Sequence, residues 1–313
     1  MLCSSPGWRS AGTSASPDSR PRRKSSARTS PGKPGRSRAG RTRTPAVGSS
    51  AGGGASTVAL LEALRQPLDR EELIRLVPEL GLSRSLRQSE YHHLDALDHV
   101  LDTVRLVRRE LEEGELGAEV RRPAGLLLAA LLHDIAKPVT RGELDGRVLF
   151  VAHDTLGARL AARICARVGA DAETADLVAT LTELHLKIGF LNHRFTDYPA
   201  PRLARAAGPF GEELAVLCWA DRLAAQGPKL KPEHLSRHRE LCAGFLRASR
   251  ELGPYPLPDY GELAGRLGLG RTEAGFVASR IRLLEARGLK RREAVGLASG
   301  LYRYLRGTRT AVE

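Results

Sequence analysis

The chain has 313 residues, of which 42% are hydrophobic, 4% aromatic and 27% charged, a length that suits one large or two small domains. No run of eighteen or more apolar residues occurs, which argues against a helical membrane span. The formal charge of +13 is unevenly placed: residues 1–55 hold nine Arg and two Lys against Asp18 alone, so +10 of it belongs to the leader and +3 to all that follows. Basicity therefore does not mark the remainder as a nucleic-acid binder. The four cysteines (Cys3, Cys165, Cys218, Cys242) form no C-x-x-C pair. They are expected to be free thiols in a reducing cytoplasm, with no disulfide framework.

In chain order, residues 1–57 are rich in Ser, Pro, Gly, Arg, Ala and Thr and nearly empty of larger aliphatics. Such a composition cannot bury enough surface to offset chain entropy, so a disordered basic leader is expected. An Arg- and Ser-rich, acid-poor leader also fits an organellar transit peptide, although no amphipathic helix pattern supports that reading. A third reading places the true translation start near Val58, so that the leader is never made.

From Val58 onward leucine, alanine and arginine dominate and β-branched runs are few. The pattern predicts helices over 58–65, 69–77, 92–113, 124–136, 155–168, 172–187, 211–226 and 232–250. Thr140 to Val151 reads as a hairpin turning at Asp145-Gly146. Pro138 is expected to stop the preceding helix directly after Lys137. A Pro-rich break, GPYPLPDY (253–260), separates a C-terminal helical unit over 259–306. The expected organisation is a leader (1–57), a helical domain (58–252) and a basic helical extension (253–313). The fold class is all-α, a helical bundle with a small β-hairpin.

Inside the apolar run LLLAALLHDIAKP (Leu126 to Pro138) stands His133-Asp134. An unpaired carboxylate removed from water costs several kcal/mol or protonates. A divalent ion satisfies both side chains at once, because adjacent helical residues diverge by only about 100°. Asp221, in LAVLCWADRLAA, also needs a buried partner. Its neighbour Arg222 is poorly placed for that, since adjacent helical residues do not face each other. His99 points away from the stripe Leu94, Leu97, Leu101, Val104 and Leu111, so solvent exposure competes with metal ligation, and His92 competes for the same role. His153 lies between the hairpin and the helix expected to open at Thr155, and His185 near a helix end. His193, His234 and His238 sit in polar surroundings and are expected to be solvated. Lys137 follows the pair by one turn and reads either as a phosphate-charge neutraliser or as a lysine facing the helix dipole.

The ordered segments YHHLDALDHVLDTV (91–104), LLLAALLHDIAKP, GRVLFVAHDTLGARLA (146–161), ELHLKIGF (183–190) and RLARAAG…CWADRLAAQGP (202–228) resemble the HD superfamily of metal-dependent phosphohydrolases. More narrowly, they resemble the HD region behind the catalytic head of bacterial tRNA nucleotidyltransferases and poly(A) polymerases. The resemblance covers roughly Val58 to Arg250. It departs at Ala136, where HDIGK is usual, and at Ala152, where glycine is common.

This resemblance implies a metal set of His99, His133, Asp134 and Asp221, and it is what selects His99 over His92. It leaves His153 and His185 either as ligands of a second ion or as phosphate-binding groups. Asp134, Lys137, His153 and His185 become the candidate catalytic residues. The donor types suit Mn, Ni, Co, Fe, Zn or Mg, and such an ion would polarise a phosphoryl group and acidify water.

The implied reaction is hydrolysis of a phosphate ester: a nucleotide, a 2′,3′-cyclic phosphate or an RNA end. No Gly-Gly/Ser motif followed by paired Asp residues is found, so a nucleotidyltransferase head, and nucleotide addition, are not expected. The segment RTEAGFVASRIRLLEARGLKRREAVGLASGLYRYL resembles the tail helices of the nucleotidyltransferases. Eleven Lys/Arg against Glu273, Glu285 and Glu293 between Arg266 and Arg309 make it basic. RNA binding by that face competes with an ordinary solvated surface. The alternative to an enzyme is a non-catalytic RNA- or nucleotide-binding module built on the same scaffold.

Overall fold

The computed structural model describes residues 56–193 and 196–307. Except for Ser56 and Thr57, the leader lies outside the described residues.

Helices α1 (Thr57–Arg65) and α2 (Arg70–Leu76) open the described chain, each with a side-chain cap: Ser56 accepts from Ala59 N and Asp69 from Glu71 N. Helix α3 (Ala96–Glu113) begins at Asp95, whose carboxylate accepts from Asp98 N. Helix α4 (Pro123–Leu132) is buried along nearly its whole length and forms the centre of the core, with Leu126, Leu128, Leu131 and Leu132 inaccessible to solvent. A helix apolar all round must be enclosed, and α3, α7 (Ala172–Leu184) and α9 (Gly211–Ala225) pack around it.

The helix expected over 124–136 instead ends at Leu132. His133 is its C-cap, and Lys137 opens a separate short helix, α5 (Lys137–Thr140), with Pro138 in its first turn. Pro is tolerated there because its missing N–H would have no intrahelical partner anyway. The hairpin forms as expected, β1 (Arg141–Leu144) against β2 (Arg147–Phe150), antiparallel with Leu144 opposite Arg147. Asp145 and Gly146 have φ of 51° and 70°, the positive pair that a tight two-residue hairpin turn demands.

Helix α6 (His153–Val168) starts two residues earlier than the sequence suggests, so His153 is its first residue. Ala152 just before it is left-handed, with φ 59° and ψ 23°. Ala136 has φ −92°, which any residue adopts, so only the departure at 152 meets a conformation that favours glycine. Gly157 lets α6 come close to the end of α4: a Cβ there would lie 3.1 Å from Thr182 Cγ2 and 3.6 Å from the His133 carbonyl oxygen.

Helix α8 (Ala200–Ala207), not anticipated from the sequence, precedes α9, and α10 (Pro232–Glu251) packs on both. The C-terminal unit comprises α11 (Tyr260–Leu267), α12 (Arg271–Ala286) and α13 (Arg291–Gly307) around a small core of Leu263, Val277, Ile281 and Ala294. It docks through α12 on α7 and α8. At that contact Asp176 of α7 receives Arg282 Nη1 at 3.0 Å, Arg282 Nη2 at 2.6 Å and Tyr260 Oη at 2.9 Å. Arg282 also lies 5.1 Å from the centre of the Phe210 ring. Among the described residues no helix is long and apolar enough to cross a membrane.

Candidate metal centre

The end of α4 delivers His133 and Asp134 to one point, and four other segments converge on it. From α3 comes His99, wholly buried; the face opposite the stripe lies against α9, which explains why it is not solvated. Its Nε2 lies 2.9 Å from Asp221 Oδ1 and 3.5 Å from Asp134 Oδ2. Asp221 is therefore held by His99 rather than by Arg222.

His133 Nε2 lies 3.1 Å from Asp134 Oδ2 and 3.7 Å from Asp221 Oδ1. His153 and His185 approach the other oxygen: their Nε2 atoms are 3.4 and 3.7 Å from Asp134 Oδ1. Ligand atoms thus fall into two groups, His99, His133 and Asp221 in one and Asp134, His153 and His185 in the other. Within each group the atoms lie within 4.8 Å of one another. Asp134 faces the first group with Oδ2 and the second with Oδ1.

Three of the imidazoles are oriented by the same local device. His133, His153 and His185 each donate Nδ1–H to the carbonyl three residues earlier, of Ala130, Phe150 and Thr182, at 2.8, 2.7 and 2.7 Å. This assigns the tautomer that leaves Nε2 with its lone pair toward the centre. The hairpin thereby has a structural part in the site, since its last strand residue, Phe150, fixes the His153 ring.

Lys137 is buried, with Nζ 2.5 Å from Asp134 Oδ2 and 2.5 Å from Gln88 Oε1, over the Phe150 ring at 5.4 Å. Gln88 donates in turn to the Leu94 and Asp95 carbonyls, both at 3.3 Å. Sequence reasoning missed Gln88, as well as Asp154, which accepts from Lys187 Nζ at 2.7 Å behind His153. The expectation of solvation holds for exposed His193 and His234 but fails for His238. That residue is buried and donates Nε2–H to the Cys218 carbonyl at 3.1 Å. On α10 only one helical face turns inward, and a polar local sequence does not say which.

The electrostatics follow from burial and crowding. Burial opposes ionisation of Asp134, yet His133 and Lys137 beside it hold its carboxyl well below the usual range. Asp221 is likewise held well below that range against burial, chiefly by the hydrogen bond from His99. Burial works against a charged His133, but Asp134 and Asp221 raise its pKa. Burial and His133 push His185 down to about 4, and burial and Lys137 push His92 down to about 3.

His133 Nε2, His153 Nε2 and Asp134 Oδ1 are buried without a hydrogen-bond partner, while Asp134 Oδ2 is ion-paired with Lys137. Each such atom costs about 1–3 kcal/mol, more when charged. Anionic carboxylates and imidazole lone pairs aimed at one volume are the donor set of a divalent ion. The residues present fit such a group.

A cavity of about 1110 Å³ opens over this cluster and reaches Asp134, His153, His185 and Asp221. The basic C-terminal segment is partly engaged with the protein itself. Arg280 pairs with Glu183 at 2.6 Å, Arg282 with Asp176, Arg287 donates to Tyr198 Oη at 2.9 Å, and Arg291 pairs with Glu285 at 3.0 Å. The side chains of Arg303, Arg306 and Arg309 lie outside the described residues.

Parts of the chain are similar to known proteins. The profile of the HD domain matches residues 91–226. The A-adding tRNA nucleotidyltransferase of Deinococcus radiodurans is 34% identical over 205 residues, 62% of this chain and 43% of that protein. The CC-adding tRNA nucleotidyltransferase of Thermus thermophilus is 31% identical over 176 residues, covering 53% and 36%. A bifunctional uridylyltransferase/uridylyl-removing enzyme of Erythrobacter litoralis is 32% identical over 123 residues, 36% of this chain and 12% of that protein. The chain thus spans less than half the length of these relatives. Residues 91–226 match the HD domain, and the ordered ligand residues that converge on Asp134 all lie within that match.

Proposed function

We propose that the chain is a metal-dependent phosphohydrolase acting on a phosphate ester. The observation that carries this reading is the division of Asp134 between two ligand groups. Each carboxylate oxygen faces a separate set of imidazoles, and Oδ1 is buried without a hydrogen-bond partner. That arrangement favours a two-ion site: His99, His133 and Asp221 would hold one ion, His153 and His185 the other, with Asp134 shared. Divalent ions there supply Lewis acidity to a phosphoryl oxygen and acidify water.

The chain's own residues do the rest. His133, His153 and His185 present fixed lone pairs because backbone carbonyls hold their Nδ1–H groups. Asp134, kept far from protonation by His133 and Lys137, is a weak base and serves to ligate and to orient water rather than to take its proton. Lys137 sits where its ammonium offsets charge growing on a phosphoryl oxygen. Among the relatives, the uridylyl-removing enzymes are named for removal of a nucleotidyl group, which is compatible with this chemistry.

The test is hydrolysis of bis(p-nitrophenyl) phosphate and 2′,3′-cyclic nucleotides with Mn, Ni or Mg added. Activity is expected in the wild type and its loss, by more than about a hundredfold, in Asp134→Ala. A folded wild type inactive with every ion would overturn the reading and favour the non-catalytic binding module.

A further inference from the structure

Around the mouth of the cavity stand basic side chains that the metal centre does not use. Arg87, Arg147, Arg222 and Arg237 all line it, and among the described residues none of the four is paired with a carboxylate at ion-pair distance. Their neighbours differ: Arg141 pairs with Glu143 at 3.8 Å and Lys229 with Glu90. The four fall into two groups on different elements. Arg87 precedes α3 and Arg147 opens β2, and both are near enough to Glu90 for their charge to act on it. Arg222 belongs to α9 and Arg237 to α10.

Two exposed aromatic rings share the cavity with these arginines, in a chain with 4% aromatic residues. Tyr91, 45% exposed, lies in the segment of Arg87, and Phe190, also 45% exposed, follows Gly189, which abuts Arg222. Both rings line the cavity.

We propose, on the basis of the phosphohydrolase reading above, that this rim seats the end of a single-stranded oligonucleotide rather than a free nucleotide. Arginines interleaved with exposed rings suit a strand, whose phosphates recur along its length and whose successive bases stack. A nucleoside triphosphate concentrates its charge in one group and has one base, so it would leave one arginine group and one ring unused.

Binding can be read without turnover. The full chain, with no divalent ion added, is titrated into a 5′-labelled ten-nucleotide single-stranded RNA and followed by fluorescence anisotropy at several salt concentrations. The basic residues at both ends of the chain add their own salt-dependent binding, so the readout is the difference between wild type and Arg87→Ala/Arg147→Ala. These side chains are exposed, and circular dichroism checks that the fold is kept. The double variant is expected to bind about tenfold more weakly and to lose about 1.4 from the salt slope, two phosphate contacts at about 0.7 each. Equimolar ATP should leave the complex intact. Unchanged affinity and slope in the variant, or displacement by equimolar ATP, would overturn the proposal. If the variant loses binding while the wild type hydrolyses nothing with any ion, the rim assignment stands and the phosphohydrolase reading alone fails.

Discussion

His133 and Asp134 were legible because charge and imidazole inside LLLAALLHDIAKP leave few physical alternatives. His99 was legible only through the family resemblance, because a single apolar stripe treats the opposite face of α3 as solvent, whereas both faces pack. Asp221 stood out by its own apolar run, but its pairing with His99, 122 residues away, is reported by no local pattern. Gln88 gave no signal at all, yet it accepts from the ammonium beside Asp134. Gln88→Leu should leave metal content unchanged and lower kcat by about tenfold, since a hydrogen bond to a charged group contributes on the order of 1.5 kcal/mol. An unchanged kcat would deny Gln88 a positioning role.

His238 makes a pH prediction. Burial and the charge of Arg222 lower its pKa from 6.5 to about 4, so the unfolded chain takes up a proton that the folded chain refuses. The stabilisation is full above pH 6.5 and declines as pH falls toward 4. At about 1.4 kcal/mol per pKa unit the loss over that interval is on the order of 3 kcal/mol. His92 and His185 titrate in overlapping ranges, so the quantity to compare is urea stability against pH in wild type and His238→Gln. The variant should show the shallower decline, and parallel curves would contradict the assignment.

Among the elements, the hairpin could be read to within a residue because Asp145-Gly146 supplies the two positive φ values its turn needs. The helix around the HD pair could not. Pro138 signals a stop, but the helix already ends at Leu132, and Pro138 serves in the first turn of α5 instead. That break lets the chain redirect Lys137 onto Asp134. The entry to α6 carries a backbone penalty, because Ala152 adopts the left-handed region that glycine takes freely. Ala152→Gly should raise stability by up to about 1 kcal/mol, read as an increase in Tm. A lowered Tm would mean that the alanine methyl is worth more in packing than the backbone strain it imposes.

For the whole molecule, the Pro-rich break at 253–260 was visible in the sequence, but the depth of the contact beyond it was not. Asp176 and Arg282 are separated by 106 residues and both are buried. Gly275 approaches so closely that a Cβ would lie 2.0 Å from the Ala172 carbonyl oxygen. Asp176→Ala leaves the Arg282 guanidinium uncompensated and should destabilise the protein by about 3–5 kcal/mol in denaturant titration. Removing the chain after Gly253 strips the cover from α7, the helix whose C-cap is His185. The C-terminal unit therefore supports the candidate site whether or not it touches RNA, and a Tm unchanged by its removal would contradict this.

The measurement that bears most directly on the central claim is the metal stoichiometry of the full chain by elemental analysis, beside His153→Ala and Asp134→Ala. A shared Asp134 predicts two ions per chain in the wild type, one in His153→Ala and none in Asp134→Ala. Metal content equal in all three proteins would contradict the account.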